Sequence, residues 1–206
     1  MTKTQSGSAS RDAIDLLTDD HRRVQKLFRE LHDIDRSDDE AVRDLVETAC
    51  VELQIHAMLE EEIFYPAVRS HAVEADRALQ ELLNKSEVEH EVVGELIANL
   101  QELDPDDAMY LAYFSVLCDM VKNHVREEEK ELFPAAKQMS ELDLDQLADD
   151  MRTRREELFA ELESDEGEEE DTEGADDDET ATLEEEDEGF EDEQEQIDIT
   201  TSRTRH

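Results

Sequence analysis

The feature that most constrains the fold is a set of four long amphipathic stretches with almost no helix breakers inside them. The 206 residues include only 5 Gly and 3 Pro, too few for a fold built from short strands and many turns. Apolar residues recur instead at the three- and four-residue spacing of one helix face. The first stretch carries this pattern at Ile14, Leu17, His21, Val24, Phe28 and Leu31. The pattern predicts an all-α protein.

Capping residues and prolines predict where these helices begin and end. Ser37 and Glu40 have the spacing of a capping box, and Asp104-Pro105 combines an acidic N-cap with proline at the first helical position. Helix A is expected from about Ser10 to Ile34, and a short fifth helix outside the bundle is expected over residues 143–162. Helices B, C and D are expected over residues 37–69, 73–102 and 104–134. Short connections make neighbouring helices antiparallel, so residues 10–162 are predicted to form an antiparallel up-down four-helix bundle with one added helix.

Charge divides the rest of the chain and limits its partners. Asp and Glu number 62 against 20 Lys and Arg, which gives a formal net charge of −42. Such a surface repels phosphates and anionic lipid, so neither nucleic acid nor membrane is an expected partner. Residues 1–9 are predicted to be a flexible N-terminus and residues 163–206 a disordered acidic tail. Because no apolar stretch resembles a signal peptide or a membrane span, a cytoplasmic location is expected.

Two segments of the chain repeat each other closely. In both, glutamate follows histidine by four residues, a second glutamate comes next, and proline follows the histidine by ten. Each segment is preceded by a helix with one histidine in its apolar row. The four histidines follow one another at intervals of 35, 34 and 34 residues. The sequence therefore predicts a duplicated helix pair. The repeated segments are His56–Ala67 and His124–Ala135, and the preceding histidines are His21 and His90.

This spacing predicts a metal site inside the bundle. Histidine and a glutamate four residues later lie on one helix face about 6 Å apart. Antiparallel packing brings all four histidines close to one central layer. A single core histidine is ordinarily explained by packing, but four at matching depth are not independent accidents. Carboxylates buried there cost several kcal/mol without a partner, and since no Lys or Arg lies in these apolar rows, a dication is the expected partner. The predicted metal-binding residues are His21, His56, Glu60, His90, His124 and Glu128.

The donor set also limits which metal and which architecture are expected. Imidazole suits iron, zinc and copper, while bridging carboxylates favour a hard, redox-active pair such as two irons. Manganese and a mixed pair remain alternatives. A ferritin-like site needs two ExxH motifs, and only Glu87-Val-Glu-His90 has that spacing. A zincin motif is excluded because His90-Glu91-Val-Val-Gly94 lacks the second histidine.

At these residues the chain resembles the hemerythrin-like family of HHE cation-binding domains, over about residues 10–160. The resemblance rests on His21 within Asp20-His21-Arg22, on the two HxxxE motifs with their Glu-Glu and Phe-Pro followers, and on His90. It implies a non-haem di-iron centre with His21 and His56 on one iron, His90 and His124 on the other, and Glu60 and Glu128 bridging. Oxygen-carrying members have a fifth histidine where this chain has Gly94. Extra ligands are therefore sought in Glu87, Glu61, Glu127 or water.

Two functions remain open at this stage. One is binding or sensing of oxygen, nitric oxide, iron or redox state, with any signal passed to a separate protein partner. The alternative is an enzyme whose di-iron centre decomposes hydrogen peroxide or reduces a small oxidised species. Cys50 and Cys118, six residues before each HxxxE histidine, are interpreted as small core residues, with a redox pair as the alternative.

Overall fold

The structure is a computed structural model that describes residues 11–72 and 76–169, with side chains described to residue 162. All regular secondary structure in these ranges is helical, which confirms the predicted all-α class. Two five-residue π-helical segments, Glu60–Phe64 and Glu128–Leu132, interrupt the second and fourth long helices. The α-helices are α1 (Ala13–Asp33), α2 (Asp39–Leu59), α3 (Tyr65–His71), α4 (Arg77–Gln101), α5 (Tyr110–Glu127), α6 (Phe133–Lys137) and α7 (Leu144–Glu169).

Aspartate side chains cap the N-termini of α1, α2 and α4. Asp12, Asp38 and Asp76 accept hydrogen bonds from backbone N–H groups three residues later, at 2.8, 3.2 and 3.1 Å. A short acidic side chain satisfies an otherwise unpaired N–H and adds a favourable charge at the positive end of the helix. The N-cap of α2 is therefore one residue later than the predicted Ser37. Ser10, the predicted start of helix A, lies outside the described residues, as do the expected flexible N-terminus, residues 1–9, and residues 73–75.

The predicted start of helix D at Asp104-Pro105 was wrong. Residues 104–109 form turns, and the helix begins at Tyr110. The Asp104 carbonyl accepts from the Asp107 N–H at 2.9 Å, and the Asp107 side chain accepts from the Met109 N–H at 2.7 Å. The Asp104 side chain, expected as the cap, is instead bound by Arg43 from α2 at 2.9 Å. Local side-chain bonding to the backbone favoured a turn over the first helical turn.

Two helix pairs make up the bundle, α1 with α2 and α4 with α5, as the duplication predicted. Helix α7 packs outside, across α1 and α2, and buries Ala148, Met151 and Leu158. It runs to Glu169, beyond the expected end near Leu162. The remainder of the expected acidic tail, residues 170–206, lies outside the described residues. Within the described ranges, none of the helices is both long and apolar enough to cross a bilayer.

Buried apolar side chains form two separate clusters along the bundle. One contains Leu17, Leu59 and Phe64 together with the inner face of α7. The other contains Val24, Leu53 and the two cysteines. The buried polar residues lie in the layer where these clusters meet, and they are Asp20, His21, His56, Glu60, Ser86, His90, His124 and Glu128.

The π-helical segments follow from the prolines of the repeat. Proline in a helix lacks an N–H and its ring clashes with the carbonyl four residues earlier. Widening the turn by one residue relieves that clash: the Tyr65 N–H bonds to the Glu60 carbonyl, and the Phe133 N–H to the Glu128 carbonyl, five residues back. At about 100° per residue, Tyr65 would otherwise lie on the opposite face from His56. The wider turn rotates Tyr65 and Phe133 into the core, where both are buried.

Candidate metal centre

The structure brings all six predicted metal-binding residues together in the buried layer. Glu60 and Glu128 have no exposed surface, and the four histidines are at most 8% exposed. Two overlapping groups have ligand atoms within 4.8 Å of one another and could hold metal ions. The first is His21, His56, Glu60 and Glu128; the second is Glu60, His90 and His124.

The histidines form two pairs through their Nε2 atoms. These atoms are 3.3 Å apart between His21 and His56, and 3.1 Å apart between His90 and His124. Two nitrogens bound to one metal at ~2.1 Å and at right angles are about 3 Å apart. Each pair therefore has the spacing that one metal ion requires, and the pairing agrees with the one implied by the family resemblance.

Each carboxylate contacts one histidine of each pair. Glu60 Oε2 lies 3.3 Å from His56 Nε2 and 3.4 Å from His90 Nε2. Glu128 Oε2 lies 3.3 Å from both His21 Nε2 and His124 Nε2. Every HxxxE glutamate thus reaches its own histidine and crosses to the other helix pair. This is the arrangement that carboxylates bridging two metal positions would need.

Two carboxylate oxygens in the layer have no hydrogen-bond partner among the described residues. Glu60 Oε1 and Glu128 Oε2 are buried and accept no hydrogen bond. An uncompensated carboxylate oxygen in an apolar interior is costly, and an ordinary core would not retain two of them. The orphaned oxygens and the converging Nε2 atoms fit a cation-binding centre.

The outer nitrogens of three histidines are held by acidic residues. Nδ1 of His21 lies 3.1 Å from Glu129, and Nδ1 of His90 lies 2.8 Å from Glu61. Nδ1 of His124 lies 3.0 Å from Glu89. A carboxylate there fixes the N–H on Nδ1, orients the ring and leaves the Nε2 lone pair for a metal. The second glutamate of each repeat therefore supports the histidine of the other helix pair.

His56 is the exception among the four. Its Nδ1 is buried without a hydrogen bond, and the nearest acid, Asp20, has its Oδ2 3.7 Å away. Asp20 is itself only 2% exposed and binds two guanidinium groups, Arg23 from α1 and Arg155 from α7. Asp20 precedes His21 as Glu89 precedes His90, so the two acids are equivalent in the repeat. Glu89 reaches the outer nitrogen of His124 at 3.0 Å, whereas Asp20 remains 3.7 Å from that of His56.

The expected extra ligands are not at the centre. Glu87 pairs with Arg69 at 2.7 Å, and Glu127 pairs with Lys85. Glu61 reaches the outer nitrogen of His90 rather than the space between the Nε2 atoms. Helical phase explains the correction for Glu61 and Glu127, since a residue next to a ligand in sequence leaves the inner face of the helix. Glu87 shares a face with His90, but its carboxylate is bound by Arg69 instead. Gly94 is likewise exposed, and a Cβ added there would meet no atom within 4 Å.

Tyr65 is the contact that sequence reasoning did not resolve. Its hydroxyl lies 2.9 Å from Glu60 Oε2 and 2.7 Å from Glu128 Oε1, so one phenol proton is shared between two carboxylates. Its ring stacks on His90, with centroids 5.7 Å apart. The matching residue of the repeat, Phe133, stacks on His21 at 5.6 Å without a hydroxyl. The sequence feature that could have indicated this contact is the proline ten residues after each histidine, because it widens the turn that carries Tyr65 and Phe133 inward.

Electrostatic coupling across the layer is strong. Burial lowers the pKa of His124, but the charge and hydrogen bond of Glu128, together with Glu89 and the charge of Glu60, outweigh it and raise that pKa to about 10. The pKa of His56 is also raised well above its ordinary value, since Glu60 and Asp20 outweigh the effect of burial. Burial opposes ionisation of Glu128, yet His124 and His21 hold its pKa well below the ordinary range. Without a metal, protons on the imidazoles would neutralise the carboxylates.

A cavity of about 20 Å³ lies against the four histidines. Its remaining wall includes Val24, Leu53, Val93 and Val121, so it is apolar except at the ligand side. About 10–15 Å³ of such space accommodates one water-sized molecule. The cavity therefore has room beside the histidines for one molecule of about the size of water or slightly larger.

The two cysteines lie in the second apolar cluster, as the interpretation of small core residues expected. Both are free and buried, and burial raises the pKa of each thiol to about 12. Neutral thiols of this kind are poor nucleophiles.

Comparisons with known proteins agree with this fold. A solved hemerythrin HHE cation-binding domain-containing protein from Mycobacterium kansasii aligns with a TM-score of 0.58 and 23% identity, covering 71% of this chain and 86% of that one. This likeness concerns the fold alone. A curated DNA nickase from Nostoc sp. (strain PCC 7120) is 32% identical over 121 residues, or 59% of this chain. The chain spans about a third of that relative's length, since the match covers 32% of it.

The family itself is shown by a longer match. The model of the family described as the hemerythrin HHE cation binding domain matches residues 12–136, which is more than half of the chain and includes all six residues of the buried layer. The chain therefore belongs to the hemerythrin HHE cation-binding domain family.

Proposed function

We propose that this protein binds two metal ions in the buried layer and uses them to bind or sense a small molecule. The observation that carries the proposal is the bridging arrangement of Glu60 and Glu128, each within 3.4 Å of one histidine from both pairs. His21 and His56 would hold one ion, and His90 and His124 the other. A single-metal site would not need two carboxylates that both cross between the pairs.

Iron is the proposed metal at both positions. The donor set of four imidazoles and two carboxylates combines borderline and hard ligands, which suits a redox-active divalent ion that also takes carboxylate. The chain offers no thiolate to the layer, since both cysteines lie in the apolar cluster. Two non-haem irons would supply reversible electron transfer and an open coordination position.

The surrounding residues have separable tasks. The outer carboxylates hold the imidazole rings in place, and Tyr65 holds the two bridging carboxylates from one side. The apolar wall of the cavity would disfavour water, and its volume would leave room for a small exogenous ligand. Among the described residues each group offers two imidazoles and shared carboxylates, so each proposed ion would keep room for an exogenous ligand. The proposed ligands are oxygen, nitric oxide or peroxide, and a protein partner would receive any signal.

Peroxide decomposition is the second candidate. The same room for exogenous ligands and the small cavity support it, since hydrogen peroxide is close to a diatomic molecule in size. Stopped-flow spectroscopy of the iron-loaded protein separates the two. A stable adduct with oxygen or nitric oxide supports binding and sensing, whereas sustained oxygen evolution from hydrogen peroxide supports an enzyme. Absence of both responses would contradict both candidates.

We do not extend the nicking of DNA, named for the Nostoc relative, to this chain. Its net charge of −42 opposes binding to phosphates, and the shared region is a third of that relative. We propose instead that nucleic acid is not a partner. A gel-shift assay with duplex DNA at low salt should show no complex, and a salt-sensitive complex would refute this.

A further inference from the structure

Helix α7 lies beyond the residues matched by the family, which end at 136, yet it contacts Asp20, which adjoins the candidate metal centre. Arg155 of α7 is only 20% exposed and pairs with Asp20 Oδ2, while Arg23 of α1 pairs with Asp20 Oδ1. Asp20 is the residue that faces the outer nitrogen of His56. One helix outside the matched span is therefore connected to one of the four histidines.

The contact makes the two halves of the centre unequal. At the pair of His90 and His124, Glu89 lies 3.0 Å from His124 Nδ1 and forms an ion pair with Lys85. Lys85 binds through one flexible ammonium, is about half exposed and is shared with Glu127. Asp20 is one methylene shorter than Glu89, is gripped by two guanidinium groups and remains 3.7 Å from His56.

We propose that Arg155 holds Asp20 away from His56 and so weakens the metal position of His21 and His56 relative to that of His90 and His124. The inference rests on the proposed two-metal function. Three physical effects act in the same direction. Arg155 places a positive charge near a site for a dication, it competes for the oxygen that His56 Nδ1 needs, and it withdraws charge from the carboxylate that would make His56 more basic.

Helix α7 then acts as a control element for one metal position. A partner that moved α7 off α1 and α2 would release Asp20 Oδ2 toward His56 Nδ1 and tighten that position. The metal position affected is that of His21 and His56, because Arg155 pairs with Asp20 on α1 and Glu52 on α2. It pairs with no acid on α4 or α5.

The test is the substitution Arg155→Gln in the full chain, measured with Zn²⁺, which avoids oxidation of the metal. Competition with a chelator should give two dissociation constants for the unaltered protein. In R155Q one of them should fall about tenfold, the size of effect that outer residues have on metal affinity. The ¹⁵N resonances of the His56 ring should shift with it, which a merely structural role for Arg155 would not produce.

Two further variants keep the result interpretable. Arg152→Gln removes a contact between α7 and the Arg11 carbonyl without touching Asp20, so both zinc affinities should remain unchanged. Arg155→Lys keeps the charge but holds Asp20 through one flexible ammonium, so its affinity for the weaker zinc should lie between those of the unaltered protein and R155Q. Unchanged or weaker zinc binding in R155Q, or an equal change in R152Q, would overturn the role of Arg155 while leaving the two-metal function standing. Fewer than two zinc ions on the unaltered chain would overturn both.

Discussion

Replacement of Tyr65 by phenylalanine tests how the buried carboxylates are held. The phenol has no exposed surface, and its hydroxyl lies 2.9 and 2.7 Å from Glu60 and Glu128. A hydrogen bond to a charged group contributes about 1.5–3 kcal/mol to the free energy of unfolding. Without metal, Y65F should lose about 2–3 kcal/mol, because both carboxylates lose their shared donor. With two metal ions bound, the same oxygens have a stronger partner, so the loss should be under about 1 kcal/mol.

Thermal unfolding followed by circular dichroism measures both losses. At about 2–4 °C per kcal/mol for a domain of this size, Tm should fall by about 4–12 °C in the metal-free protein and by less than about 4 °C in the metal-loaded protein. Tyr110→Phe is the matched control, because Tyr110 is a similarly buried tyrosine in the other apolar cluster. Its change in Tm should be the same with and without metal. Equal losses for Y65F in the two states would refute the reasoning.

Four further predictions concern the pH dependence of metal binding, the pH dependence of stability, Gly94 and the two cysteines. Zinc affinity measured by chelator competition should fall as pH drops below about 10, because metal must displace protons from His124, whose pKa is raised. In the metal-free protein, the raised pKa of His124 stabilises the folded state fully below about pH 6.5, and this stabilisation is lost as pH rises toward 10. Urea unfolding should therefore give a lower free energy of unfolding at pH 9 than at pH 6. Gly94→Ala should stabilise both states by about 1 kcal/mol through helix propensity, and a gain confined to one state would contradict its placement outside the centre. Cys50 and Cys118, with thiol pKa values of about 12, should resist alkylation by iodoacetamide at pH 8, and rapid labelling of the folded protein would contradict their burial.

The buried layer of histidines and glutamates was predictable because it is encoded by periodicity. Histidine and glutamate four residues apart share a helix face, and near-equal spacing places four histidines at one depth. Both are properties of a regular helix and need no tertiary information. The same argument placed Cys50 and Cys118 in the core.

The features that sequence reasoning missed arise where the helix is not regular or where a side chain reaches another element. The wide turn before Pro66 rotates Tyr65 inward, and an α-helical count places it on the wrong face. Glu129 supports His21, which is 108 residues away in sequence, so no local pattern connects them. Arg155 reaches the centre from a helix whose position depends on packing.

Metal content per folded chain is the most direct test of the central claim, that dications neutralise the buried carboxylates. Protein purified from cells supplied with iron should contain two irons per chain by elemental analysis. Removal of iron by a chelator should lower Tm, and His56→Ala should reduce the iron content. The same Tm before and after iron is added, or full iron content in H56A, would contradict the account.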